Sequence, residues 1–154
     1  MGRSETIARR GLLERAGDPA LDAIVRLAGY ISGGSGAGVH ILDERVQHRI
    51  AGHNAPVAPH PREDSMCRLV VDSGERIATA DASAEDRFSY SSFVQGDEPG
   101  VRMYVSTPLR MDGEVVGTLC AWDSGSAQLS EEQLARYDDL ALLATAVLEQ
   151  GPSA

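Results

Sequence analysis

The stretch VRMYVSTPLRMDGEVVGTLCAWD, residues 101–123, decides the fold. Two strand-forming runs flank Asp112-Gly113, a dipeptide that tolerates the positive φ of a two-residue hairpin turn. With that turn Met111 faces Glu114, Val105 faces Cys120 and Arg102 faces Asp123. Side chains alternate across a strand. One face of the hairpin then carries Met103, Val105, Thr107, Val116, Thr118, Cys120 and Trp122. The other carries Arg102, Tyr104, Ser106, Val115, Leu119 and Ala121. Both faces are largely apolar, so both are expected to be covered. A bulge would shift this register and change which residues share a face.

The segments on either side supply the cover. Downstream, Ser130-Glu131-Glu132-Gln133 is a capping box. Leu134, Tyr137, Ala141, Ala144 and Leu148 follow as an apolar stripe, widened by Leu140, Leu143 and Val147. Upstream, Asp18-Pro19 opens a helix carrying Leu21, Ile24, Val25, Ala28 and Ile31, which ends in the glycine-rich run 32–38. An earlier helix is expected within residues 4–16. AGVHILD (37–43) and VQHRIAG (46–52) read as an antiparallel pair. HNAPVAPHPR (53–62), with three prolines, reads as a loop. A short helix starting at Asp64 or Ser65 and stopped by Gly74 comes next, with Met66, Leu69 and Val70 on one face. RIATADA (76–82) is a short strand, and 83–100 is a polar excursion with at most short helices. The result is an α+β fold: an antiparallel sheet with terminal helices on one face and irregular structure on the other.

Composition narrows the function. The chain has 154 residues, 42% hydrophobic and 24% charged, enough apolar content for one domain with a core. Its net charge of −9 disfavours nucleic-acid binding. No apolar run approaches the ~20 residues of a membrane span, and the N-terminus has no signal-peptide pattern, so a cytoplasmic location is expected. In that compartment Cys67 and Cys120 are expected to be free thiols. His40, His48, His53 and His60 lack zinc-ligand spacing, so no metal site is assigned. No catalytic triad or phosphate-binding glycine loop is present.

Four motifs in order carry a family resemblance: Ser65-x-Cys67, Asp81 with Asp86-Arg87-Phe88, Arg102-x-Tyr104 leading to Pro108-Leu109, and Gly117-Thr118-Leu119-Cys120. With them the chain resembles the GAF domain, a small-molecule sensor fold related to PAS domains. The resemblance implies a GAF/PAS-like sheet of five or six antiparallel strands. It also implies terminal helices that often form a dimeric bundle, and a ligand pocket closed by loops on the opposite face. Residues 18–150 would be the GAF domain, 1–17 a helical extension and 151–154 a tail. Family ligands include cyclic nucleotides, bilins, haem and other small molecules, so the cofactor stays unknown. Cys67 is followed by Arg68 rather than histidine, unlike bilin-binding relatives, and His40 lacks the partner motif of a haem ligand.

The expected function is therefore a non-catalytic sensor. It would bind an unidentified small molecule between the sheet and the 53–97 excursions and signal through a terminal-helix homodimer. A separate signalling protein is a possible partner. The expected ligand contacts are Ser65, Met66, Cys67, Asp81, Arg87, Phe88, Arg102 and Tyr104. Arg87 could instead pair with Asp81 or Asp86, and Arg102 with Asp123. Trp122 reads as core. Cys67 reads as a small apolar residue supporting the pocket, or as a thiol activated at a helix start. Two alternatives remain open. One is a dimerisation scaffold without ligand. The other is a thiol redox enzyme or sensor of the free methionine-R-sulfoxide reductase type, using Cys67 or Cys120.

Overall fold

The computed structural model describes residues 2–96 and 100–151. Part of the polar excursion (97–99) and most of the predicted tail (152–154) lie outside them. The strands are β1 (Gly36–Leu42), β2 (Val46–His53), β3 (Ala58–Pro61), β4 (Ile77–Thr79), β5 (Met103–Met111) and β6 (Glu114–Asp123). The helices are α1 (Arg3–Arg9), α2 (Pro19–Ser32), α3 (Arg68–Ser73), α4 (Ser92–Gln95) and α5 (Glu131–Glu149). The six strands form one antiparallel sheet in the order β3-β2-β1-β6-β5-β4.

Each face of the sheet has its own core. On one face Leu21, Ile24 and Val25 of α2 and Tyr137, Ala144 and Leu148 of α5 pack against Val39, Val105 and Leu119. On the other, Met66, Val70 of α3 and Phe88 pack against Tyr104, Cys120 and the edge of Trp122. The local signals work as expected at the main helix starts. Asp18 accepts from the Ala20 N–H, and the Ser130–Gln133 capping box closes in both directions.

The hairpin register differs from the sequence expectation. Asp112 and Gly113 take φ of 54° and 80°, as the two-residue turn requires. Met111 pairs with Glu114 and Arg110 with Val115, but Leu109 then pairs with Gly117, leaving Val116 extra. This bulge slides the rest of β6 by one residue. Cys120 lies opposite Ser106 rather than Val105, and Asp123 opposite Met103 rather than Arg102. Cys120 and Trp122 therefore share a face with Tyr104, while Leu119 and Ala121 join Val105 under the helices. A second bulge lies in the β1–β2 pair between Val39 and His40.

The proline-rich segment also departs from expectation. Residues 58–61 form an edge strand on β2, with Pro59 opposite His48 and Pro61 opposite Val46. Proline is tolerated there because an edge strand leaves one side of its backbone without a ladder.

Before α2, Ile7 and Leu12 are buried in the helix-side core. Arg9 and Arg10 both reach Asp112 at the hairpin turn. The hydrogen bonds from Arg10 and then Arg9 bring the Asp112 carboxyl down to about 2.

Tyr137 is fully buried, and among the described residues its hydroxyl has no hydrogen-bond partner. An unpartnered buried hydroxyl costs more than its removal. Tyr137→Phe is therefore expected to raise stability by about 1 kcal/mol, read by chemical denaturation. A loss of stability would mean that the hydroxyl is bonded in solution.

The apolar stripe of the last helix is covered within the chain and is not left over for a dimer. Tyr137, Leu140 and Ala144 are buried within the chain. The large apolar side chains left exposed on these two helices are Leu27 and Tyr30 on α2, and Leu142 and Leu143 on α5.

Candidate functional site

On the sheet face away from α2 and α5 a cavity of about 250 Å³ opens to the surface. That is below the ~300 Å³ at which pockets for drug-sized ligands begin, so it suits a small metabolite. Its floor is the sheet. β1 and β2 point His40, Gln47 and Arg49 into it, and β5 and β6 point Tyr104, Cys120 and Trp122. Met66 and Cys67, just before α3, form one wall. Residues 54–56 and Phe93 form the rim.

Arg49 dominates the electrostatics. It is only 8% exposed, and among the described residues no carboxylate lies within 4 Å of its guanidinium nitrogens. Its Nε donates to His40 Nε2 at 3.0 Å, and its Nη1 reaches the Pro56 carbonyl at 3.4 Å. The guanidinium carbon lies 5.2 Å from the centre of the Trp122 ring, a cation–π contact. Buried cations are normally paired. This one has a ring, an imidazole and a carbonyl instead. Burial, and next the Arg49 charge, hold the nearby His60 below its ordinary pKa.

The Arg49 bond fixes the His40 tautomer. Nε2 accepts, so the neutral ring carries its proton on Nδ1. That Nδ1 lies 3.1 Å from Cys120 Sγ and 3.8 Å from Cys67 Sγ. Cys67 Sγ also lies 3.0 Å from the Tyr104 hydroxyl and 3.9 Å from Ser106 Oγ. Burial opposes ionisation of Cys67. The hydrogen bonds of Cys120 and then His40 outweigh it, placing this thiol well below its ordinary value. Burial, then Cys67 itself, pushes Cys120 and Tyr104 up. The surroundings thus favour the thiolate at Cys67 and oppose it at Cys120.

His40 Nδ1 and the two sulfurs all lie within 4.8 Å of one another, close enough to hold one soft metal ion. Arg49 works against that use. A metal on Nδ1 would need a ring without a proton on either nitrogen, since Nε2 already accepts from the guanidinium.

Of the residues expected at the site, Met66, Cys67 and Tyr104 line the cavity. The sulfur of Cys67 makes no capping bond to α3 and faces the cavity instead. Ser65 sits behind the wall, its hydroxyl donating to Gln47 Oε1 and its carbonyl accepting from Tyr90 at 2.6 Å. Asp81 caps its own turn through Ser83. Arg87 pairs with Glu85 at 2.6 Å, not with Asp81 or Asp86. Phe88 is fully buried edge-on to Tyr104, with ring centres 5.6 Å apart. Arg102 donates to the carbonyls of Val94 and Val101, at 3.1 and 3.0 Å, and so ties down the excursion instead of pairing with Asp123. Sequence reasoning did not select His40, Gln47, Arg49 or Trp122. Arg49 carried a readable signal: a charged residue in mid-strand, beside Ile50 and Ala51.

Comparison with known proteins agrees with this architecture. The sequence model of the GAF domain family matches residues 17–148. A cyclic di-GMP phosphodiesterase of Pseudomonas aeruginosa is 30% identical over 146 residues, 94% of this chain. The chain spans only 25% of that protein's length. The GAF domain of an Acinetobacter phosphoenolpyruvate-protein phosphotransferase superposes with a TM-score of 0.71 at 17% identity, covering 97% of this chain and 95% of that one. Free methionine-R-sulfoxide reductase of Neisseria meningitidis superposes with a TM-score of 0.65 at 19% identity, covering 91% and 83%.

Proposed function

The chain belongs to the GAF domain family, a small-molecule-binding signalling family, and from that premise we propose that it is a non-catalytic sensor of a small anionic metabolite. One observation carries this reading: Arg49 is buried, has no acidic partner among the described residues, and faces the cavity. In a chain of net charge −9 such a cation stands out. A carboxylate or phosphate of metabolite size would complete its pairing, and charge-assisted bonds of this kind are the strong ones. The apolar part of the ligand would lie against Trp122 and Phe93. Gln47 and Asn54 would add polar contacts, with Tyr104 at the floor and Met66 and Cys67 on the wall.

Ligand binding would tighten the cavity rim at residues 54–56 and Phe93 and pass to the terminal helices across the sheet. The exposed Leu27, Tyr30, Leu142 and Leu143 favour a homodimer through α2 and α5. A separate signalling protein would read that dimer in the cytoplasm.

Native mass spectrometry of freshly purified protein tests both parts. The expected spectrum is a dimer carrying a small acidic molecule that leaves on denaturation. Arg49→Gln is expected to weaken that molecule's binding by about 10- to 100-fold, the worth of one charged hydrogen bond. Empty protein that no small carboxylate or phosphate stabilises against heat would leave the scaffold reading in its place.

A further inference from the structure

We propose that Cys67 and Cys120 are a redox site, a dithiol where the cavity wall meets its floor, that a hydroperoxide converts to an intramolecular disulfide. The sulfurs come from different elements, the segment before α3 and strand β6, and both line the same open cavity. They lie within 4.8 Å of each other, so a disulfide needs them to approach by no more than about 2.8 Å. The Cys67 sulfur has no bond to α3 that would hold it back.

The groups around the pair give the two sulfurs different tasks. Cys67 has two hydroxyl donors within reach, Tyr104 at 3.0 Å and Ser106 at 3.9 Å, while the single His40 Nδ1–H lies 3.8 Å away. Hydrogen bonds to the charged form favour it, so Cys67 is the thiolate and the nucleophile. Cys120 has no hydroxyl donor among the described residues; the His40 Nδ1–H lies nearer to it, at 3.1 Å, and it serves as the resolving thiol. Arg49 is a positioning residue: by donating to Nε2 it keeps the proton of His40 on the sulfur side.

The chemistry balances in two steps. The Cys67 thiolate attacks the outer oxygen of the hydroperoxide. An S–O bond forms, the O–O bond breaks, and the leaving oxygen takes a proton from solvent, giving Cys67 sulfenic acid and an alcohol or water. The Cys120 sulfur then attacks the sulfenic sulfur, forming the S–S bond and releasing water. Two thiols are oxidised and one peroxide is reduced. The product draws the segment before α3 toward β6 and removes the Tyr104–Cys67 hydrogen bond, so the cavity floor changes with oxidation. The step requires no ligand in the cavity.

The test is intact mass with thiol counting, in the presence of a chelator, after one equivalent of hydrogen peroxide. The expected product is a monomer lighter by about 2 Da, with no alkylatable thiol in denaturant and both restored by dithiothreitol. Cys120→Ser should stop at a gain of about 16 Da on Cys67, trapped by a sulfenic-acid reagent. That variant should react at least about tenfold faster than Cys67→Ser. Tyr104→Phe keeps the packing against Phe88 but removes a donor, so the midpoint of the oxidation rate against pH should move up. Two free thiols remaining in the wild type would overturn the proposal. So would a sulfinate on one cysteine without a disulfide, or equal rates in the two serine variants.

Discussion

Gly117→Ala is expected to lower stability by about 3 kcal/mol, at the upper end of ordinary overpacking, and to lower Tm by about 6–12 °C for a chain of this size. Gly117 lies in the central strand, paired with Ile41 on one side and Leu109 on the other. A β-carbon built there would sit 1.9 Å from the His40 carbonyl oxygen and 3.1 Å from the Ile41 Cα. Both neighbours are backbone, so no side chain can rotate away. Relief requires β1 and β6 to part, which breaks ladder bonds in the middle of the sheet. The residue displaced is His40, so the variant should also weaken ligand binding and slow thiol oxidation. Gly2→Ala is the matching control, because no atom lies within 4 Å of its added carbon. If Gly117→Ala unfolds within 0.5 kcal/mol of wild type, the two strands are not packed this closely.

The bulge beside Gly117 also separates what the sequence could show from what it could not. The strands of the central hairpin, its turn and the two long helices follow from periodicity, the Asp112-Gly113 pair and the caps at Asp18 and Ser130. These signals are local, and each is satisfied by atoms within a few residues. Register is not local. Nothing in EVVGTLC marks Val116 as the extra residue, and a one-residue slip exchanges the faces. Read without the bulge, Cys120 falls beside Val105 and away from Tyr104. The thiol pair is then invisible. The same holds for His40, whose role depends on Arg49 nine residues later and Cys120 on another strand. Ser65, Asp81, Arg87 and Arg102 stood out because they are polar residues in motifs. In the fold each is occupied by its own neighbourhood, as cap, ion pair or clamp. A motif shows that a polar residue has a partner. It does not say whether that partner is a ligand or a backbone carbonyl.

Arg15→Ala is expected to lower stability by about 3 kcal/mol, the cost of breaking a buried, hydrogen-bonded charge pair. Arg15 is 3% exposed. Its Nη2 reaches Asp18 Oδ2 at 2.6 Å and the Val147 carbonyl at 3.1 Å, and its Nη1 reaches the Leu148 carbonyl at 3.2 Å. One guanidinium thus joins the N-cap residue of α2 to the last carbonyls of α5, where a cation also complements the helix dipole. Alanine leaves the carboxylate and the carbonyls without these donors. Arg15→Lys should recover less than half of the loss, because an ammonium lacks the planar fork that serves three acceptors at once. The pH dependence has a definite sign. The hydrogen bond from Arg15 comes first among the causes that hold the Asp18 carboxyl below its ordinary range. A depressed folded-state value means that the contribution of Asp18 is complete above the unfolded carboxyl pKa of about 3.9 and fades as pH falls below it. The gap between wild type and Arg15→Ala should therefore be constant from neutral pH down to about 5 and narrow below about 4. It should not close, because the two carbonyls accept from Arg15 at any pH. A gap that disappears at low pH would assign the whole effect to Asp18. A gap indifferent to pH would assign it to the end of α5 alone.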